Sequence, residues 1–178
     1  MIRRLTALLV LPLFLAGCLV SDGDLISPGE ADFPVADGAR FTVHALNEKG
    51  VRTDDAPETA VVTVESGRYI LRSGEENKVF TGLMKEIGPE LYAVMIREED
   101  QTEGNLYALM RREGTTWWRW GMVCPQFVSL LEEEGMTLAD FGMIVRNSDC
   151  VVTDFADLKK ALLFAHERQK PDAEYVAE

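Results

Sequence analysis

Three cysteines, Cys18, Cys124 and Cys150, are the residues of this chain best equipped for covalent chemistry. A thiolate can attack an electrophile, ligate a metal or be oxidised to a disulfide, and its surroundings decide which. No two of the cysteines form a CxxC pair, and neither histidine, His44 or His166, lies near one in sequence. Two histidines so far apart do not supply a three-histidine metal site. The sequence contains no HExxH, GxSxG, P-loop, GxGxxG or SxxK. Runs of carboxylates occur at Asp54-Asp55 and Glu98-Glu99-Asp100, in polar stretches where a solvated surface is expected of an acidic chain. No segment alternates acidic positions around a central glycine as a calcium loop does. Met84, Met95, Met110, Met122, Met136 and Met143 are scattered, not clustered as copper-handling thioethers would be, and read as core filler. No catalytic residue, metal or cofactor is expected.

The most unusual stretch is Trp117-Trp118-Arg119-Trp120. In a strand, Trp118 and Trp120 share one face while Trp117 and Arg119 share the other. The expectation is that Trp118 and Trp120 face the main core. Trp117 and Arg119 then form the candidate binding surface, an aromatic platform for a glycan, peptide or lipid; the alternative is packing of Trp117 under the C-terminal helices.

The first residues set the chemistry of Cys18. Arg3 and Arg4 precede an apolar run from Leu5 to Leu15, followed by Ala16-Gly17-Cys18. That run is shorter than the roughly twenty residues a membrane-spanning helix needs, and the pattern is that of a signal peptide. Leu15-Ala16-Gly17-Cys18 resembles the lipobox of bacterial lipoproteins. The resemblance implies cleavage before Cys18, acylation of Cys18, and attachment to a membrane of the cell envelope through the lipid. Leu19, where inner-membrane lipoproteins of this kind carry Asp, implies the outer membrane facing the periplasm if the source is Gram-negative. With Cys18 lipidated, Cys124 and Cys150 remain as an even pair in an oxidising compartment, and a disulfide between them is expected; two thiols, one of them a nucleophile, is the competing reading.

Without residues 1–17 the chain keeps 16 basic against 30 acidic residues, a net charge of −14 on 161 residues. Nucleic acid is excluded as a partner, because phosphate binding needs a basic footprint. A peripheral grip on anionic lipid is disfavoured for the same reason, so the anchor is the lipid itself. An envelope protein or a glycan is the remaining partner class.

Four segments are expected: a signal peptide at 1–17, a lipidated flexible tether at 18–37, a single β-rich domain at 38–168 with a helical C-terminal part, and a frayed tail at 169–178. The tether is rich in Ser, Asp, Gly and Pro, and the tail contains Pro171 and little apolar content. Between them, β-like runs occupy 40–46, 59–65, 68–72, 78–87, 91–97, 105–112 and 115–123, with turns at Ser66-Gly67, 73–77 and Glu113-Gly114 and a polar loop at 98–104. The run 91–97 is apolar on both faces, which suits a strand covered on two sides. Helical spacing begins after Cys124-Pro125. It returns after Asp154, where Phe155, Leu158, Ala161, Leu162 and Ala165 form a stripe and Asp157 takes a capping-box place. The fold class is therefore α+β: an antiparallel β-meander of about six to eight strands, curled or half-barrel, with C-terminal helices packed on it.

Ser66-Gly67-Arg68-Tyr69 resembles the Ser-Gly-x-Arg-Tyr element of membrane-bound lysozyme inhibitors, which are also small lipid-anchored β-barrels. The resemblance covers four residues and carries over no functional residue. Function is expected to lie in binding or structure on the envelope, not catalysis, with a small periplasmic inhibitor or ligand-binding module of that kind as the alternative.

Overall fold

The computed structural model describes residues 17–73, 78–98 and 104–178. The signal segment up to Ala16, residues 74–77 of the turn expected at 73–77 and residues 99–103 of the 98–104 loop lie outside the described residues. The architecture is α+β with mostly antiparallel strands. Eight strands follow one another around a ring: β2 (Ala39–Ala45), β3 (Glu58–Glu65), β4 (Arg68–Ser73), β5 (Lys78–Gly88), β6 (Leu91–Glu98), β7 (Asn105–Glu113), β8 (Thr116–Gly121) and β11 (Ala173–Ala177). Every neighbouring pair in the ring is antiparallel, and the pairings of β6 with β7 and of β11 with both β8 and β2 close it. The sheet is thus a closed barrel, where a curled sheet or half-barrel was expected.

Closure depends on a segment that composition hides. The stretch expected to be a frayed tail, 169–178, contains β11, whose Ala173 and Tyr175 alternate inward and register with Arg119 and Trp117 of β8. Pro171 and the charged residues around it conceal a five-residue strand that has partners on both sides. The stretch expected to be a tether, 18–37, is also packed. Leu19–Ser21 forms β1, antiparallel to the start of β7 and parallel to β10 (Asp149–Val152), and β9 (Met143–Arg146) completes this side flap. Leu19 and Ile26 are its buried apolar anchors, and Leu25, Ala31 and Val35 pack partly against the cores.

The two ends of the barrel differ. At one, the hairpins β3–β4, β5–β6 and β7–β8 are joined by two-residue turns. Ser66 (φ 50°) and Gly67 (φ 74°) are both left-handed, as the twist-matching hairpin turn requires. At the other end lie the connection 46–57, the links from β4 to β5 and from β6 to β7, and the helical insertion between β8 and β11.

Period-two alternation divides the apolar residues into two cores. Inside the barrel lie Phe41, Ala60, Tyr69, Met84, Tyr92, Val94 and Trp117. Outside it, Leu83, Ala93, Met95, Leu109 and Trp120 pack under α1 (Cys124–Glu133) and α2 (Phe155–Arg168). The double-faced run at β6 is explained: Tyr92 and Val94 point inward, Ala93 and Met95 toward the helices. The stripe Leu158, Ala161, Leu162 and Ala165 is fully buried, and the Asp154 carboxylate accepts the Ala156 N–H at 2.7 Å as the helix N-cap. The reciprocal capping box forms at Thr137 and Asp140, before β9 in the insertion. Asp157, expected in that role, lies with its carboxylate against Gly142. Cys124 and Cys150 are joined in a disulfide that ties the start of α1 to β10.

Candidate ligand cavity inside the barrel

Eight strands enclose a space that is either just filled by side chains or holds one small ligand. Here the interior retains a cavity of about 950 Å³. Its wall is the inward alternation of the strands, including Phe41, Val62, Leu71, Phe80, Val94 and Met110. Of the alternation expected of 40–46, Phe41 lines the cavity and Val43 packs against the inner core.

The tight-turn end is shut by the N-terminal segment crossing it. The Val35 N–H donates to the Tyr69 hydroxyl at 3.0 Å, and that hydroxyl donates to the Val35 carbonyl at 3.1 Å. Phe33 covers Tyr69 with ring centroids 5.2 Å apart. Burial pushes the pKa of the Tyr69 hydroxyl up to about 12, against the lowering effect of its bond to Val35. Beside it, Trp117 packs on Tyr92 at 5.5 Å, and the Arg112 guanidinium lies over the indole at 5.8 Å while pairing with Glu90.

Besides Glu58, Thr59, Tyr69 and Thr81, a charged cluster centred on Arg119 reaches the cavity. Arg119 grips Asp172 with two parallel bonds, Nε to Oδ1 at 3.0 Å and Nη2 to Oδ2 at 3.1 Å, and Nη1 donates to the Tyr175 hydroxyl at 3.3 Å. The bidentate fork neutralises the guanidinium. Gly121 makes room for it: a Cβ there would meet Asp172 Oδ2 at 2.5 Å. Among the described residues, every buried side-chain nitrogen and oxygen has a partner.

The residues singled out in the sequence separate accordingly. Trp117 and Arg119, expected together on one face, are together on the inner face of β8, and both line the cavity. Trp117 is buried there, so it is an enclosed wall and not an open platform. Trp120 faces the outer core, where its indole N–H donates to the Gln169 carbonyl at 3.2 Å and its ring meets His166 at 4.7 Å. Burial, with the Arg111 charge second, lowers the His166 pKa. Trp118 shares that outward face but is only partly covered. Asp172 and Tyr175 escape a reading of the sequence because they lie in the stretch expected to fray; the alternation of Ala173, Tyr175 and Ala177 is the available signal. His44 sits on β2 opposite Glu174 of β11, away from His166. Asp54 and Asp55 are exposed in the 46–57 loop. Arg68 of the Ser66–Tyr69 element pairs outward with Asp24 at 2.9 Å, and Tyr69 points into the barrel.

Cys18 is not in the cavity. It bridges to Val123, its N–H donates to Asp149 Oδ1 at 2.7 Å, and the Cys150 N–H donates to its carbonyl at 2.9 Å. Burial, then the Asp149 charge, raises the pKa of the unmodified thiol, which disfavours the thiolate. Among the described residues, no group of three or more His, Cys, Asp or Glu is placed to hold a metal, and no helix is long and apolar enough to cross a membrane. No family model, curated relative or solved structure matches the chain.

Proposed function

We propose that this chain is a lipid-anchored cell-envelope protein that acts by binding, taking a small, neutral, apolar ligand into its barrel. The observation that carries the reading is the largely apolar cavity of about 950 Å³, near the top of the roughly 300–1,000 Å³ range of small-molecule sites. Its Arg119 charge is already matched by Asp172, and the other charged residue in the lining, Glu58, is acidic, so neither invites an anionic group. A chain this acidic also repels anionic amphiphiles at a distance. Arg119, Asp172 and Tyr175 are bonded to one another, which favours binding over catalysis.

The anchor and location rest on the lipobox at Leu15-Ala16-Gly17-Cys18 and on Leu19 after it, which together support attachment through Cys18 to the outer membrane facing the periplasm. The ligand-module reading is preferred over an inhibitor because Ser66 and Gly67 make a two-residue turn, not a protruding loop. The test is titration of the purified protein with a neutral polarity-sensitive dye such as N-phenylnaphthylamine. Saturable binding at one site is expected, lost in an Ala108→Trp variant that fills the cavity and keeps the wild-type circular dichroism. Dye binding that survives the filled cavity overturns the reading.

A further inference from the structure

The face on which Cys18 sits connects the anchor to the barrel. Residues paired across strands point to the same side of a sheet, and successive residues alternate. Val20 pairs with Leu106, which belongs to the inward series of β7 together with Ala108 and Met110. Cys18, two residues from Val20 and bridged to Val123, is therefore on the face continuous with the barrel interior. The same face carries Ile144, through the register Val20–Val151–Ile144 across β1, β10 and β9. Leu19 and Cys150, on the other face, pack into the helical core. The flap is attached at the first residues of β7 and just past the last of β8, so it extends the barrel wall beyond the long-loop end.

There is no slack between anchor and sheet. The Leu19 N–H donates to the Met122 carbonyl at 3.0 Å, and the Leu19 side chain is buried. Acyl chains on Cys18 therefore leave the protein within one residue of β1. Four large apolar side chains stand exposed among the described residues: Phe33, Val51, Ile144 and Val145. Ile144 and Val145 are on the free edge of the flap, about 10 Å from β1 by two strand spacings. Val51 is in the 46–57 loop at the same end of the barrel. The Arg146 guanidinium on that flap is paired with Asp22 at 3.0 Å, which suits a surface that meets headgroups without seeking anionic ones.

We infer that the long-loop end of the barrel faces the bilayer, with Cys18, Ile144 and Val51 at the lipid surface and the tight-turn end pointing away. The inference rests on the lipoprotein reading and not on whether the cavity is filled.

The test uses the full acylated chain in phosphatidylcholine vesicles with and without brominated acyl chains. Two variants, Ile144→Trp and Phe33→Trp, are compared with wild type, whose own tryptophans give the background. Bromine should remove the emission added at 144 and leave that added at 33. Hydrogen exchange on the unsubstituted chain should show the 143–146 amides slowed by vesicles, and those of the three tight turns unchanged. Quenching at 33 without quenching at 144 overturns the orientation. So does a vesicle-bound chain quenched at neither position, which leaves acylation of Cys18 standing. Protection of 143–146 that rises with protein concentration in the unacylated Cys18→Ala chain also overturns it, assigning the edge to a second copy. A chain that acquires no lipid at all overturns it together with the lipoprotein reading.

Discussion

The Cys150 N–H donates to the carbonyl of Cys18 at 2.9 Å, so the residue expected to carry the lipid is held by backbone bonding to one half of the Cys124–Cys150 disulfide. The disulfide spans 26 residues, and in chain-entropy terms such a loop contributes about 3.5 kcal/mol by restricting the unfolded state. A Cys124→Ala, Cys150→Ala chain should lose about that much stability in urea denaturation. The amides of Leu19 and Cys150 should exchange faster in it, because β10 is no longer fastened to α1. Intact-mass measurement after alkylation without reductant checks the bond in the native protein: thiols reacting at both 124 and 150 would contradict it.

The three tryptophans should separate by burial, not by face. Trp120 is closed in by α2 and Trp117 by Tyr92 and Arg112, so either change to Ala leaves a cavity and should cost about 3–5 kcal/mol. Trp118 is partly exposed and should cost less. Face alternation alone, with the barrel unrecognised, ranks Trp117 lowest and Trp118 beside Trp120. Chemical denaturation of the three single variants distinguishes the two rankings.

Alkaline pH should open the tight-turn end. The folded Tyr69 titrates at about 12, above the value of 10.0 of an unrestrained tyrosine. The folded state therefore holds the proton more tightly. The stability this represents is complete below pH 10 and is lost as the pH rises from 10 toward 12. Ionisation also removes the hydrogen that Tyr69 donates to Val35. Ultraviolet titration of tyrosinate should show Tyr69 appearing late in the wild type, and a Tyr69→Phe chain should lack its share of the alkaline decline. A normal titration of all four tyrosines would contradict the enclosed end.

What is legible in the sequence is what alternates visibly. The runs that form β2 through β8 are rich in β-branched and aromatic residues and are separated by turn residues, so each can be read by itself. β6 even announces two covered faces, because Tyr92 and Val94 are apolar on one side and Ala93 and Met95 on the other. Closure is not legible, since it requires β11, and Ala173–Ala177 shows its inward pair of Ala173 and Tyr175 only beside β8 and β2. The flap is hidden for a similar reason: Leu19 and Ile26 are single anchors in a stretch whose composition reads as linker. Trp117 and Arg119 stand out because tryptophans and an arginine in period-two alternation are conspicuous. Their enclosure does not, because it depends on side chains brought in by β6, β7 and β11.

Asp172 supplies the carboxylate that cancels the Arg119 charge at the cavity. Changing Asp172→Asn keeps the shape and leaves an oxygen to accept from Arg119, but removes the negative charge. The pair is partly exposed, with side-chain exposures of 38% and 43%, so the stability cost should stay within about 1 kcal/mol. The effect on binding should be larger. An uncompensated guanidinium beside an apolar cavity is a receptor for an anionic head group, and hydrogen bonds to charged groups contribute roughly 1.5–3 kcal/mol. Affinity for anilinonaphthalene sulfonate should rise about tenfold, equivalent to about 1.4 kcal/mol. Affinity for neutral N-phenylnaphthylamine should stay close to that of the wild type. Arg119→Met should show no such gain, since it removes the cation itself. Equal responses of the two dyes to Asp172→Asn would mean that the ligand does not reach the Arg119 end of the cavity.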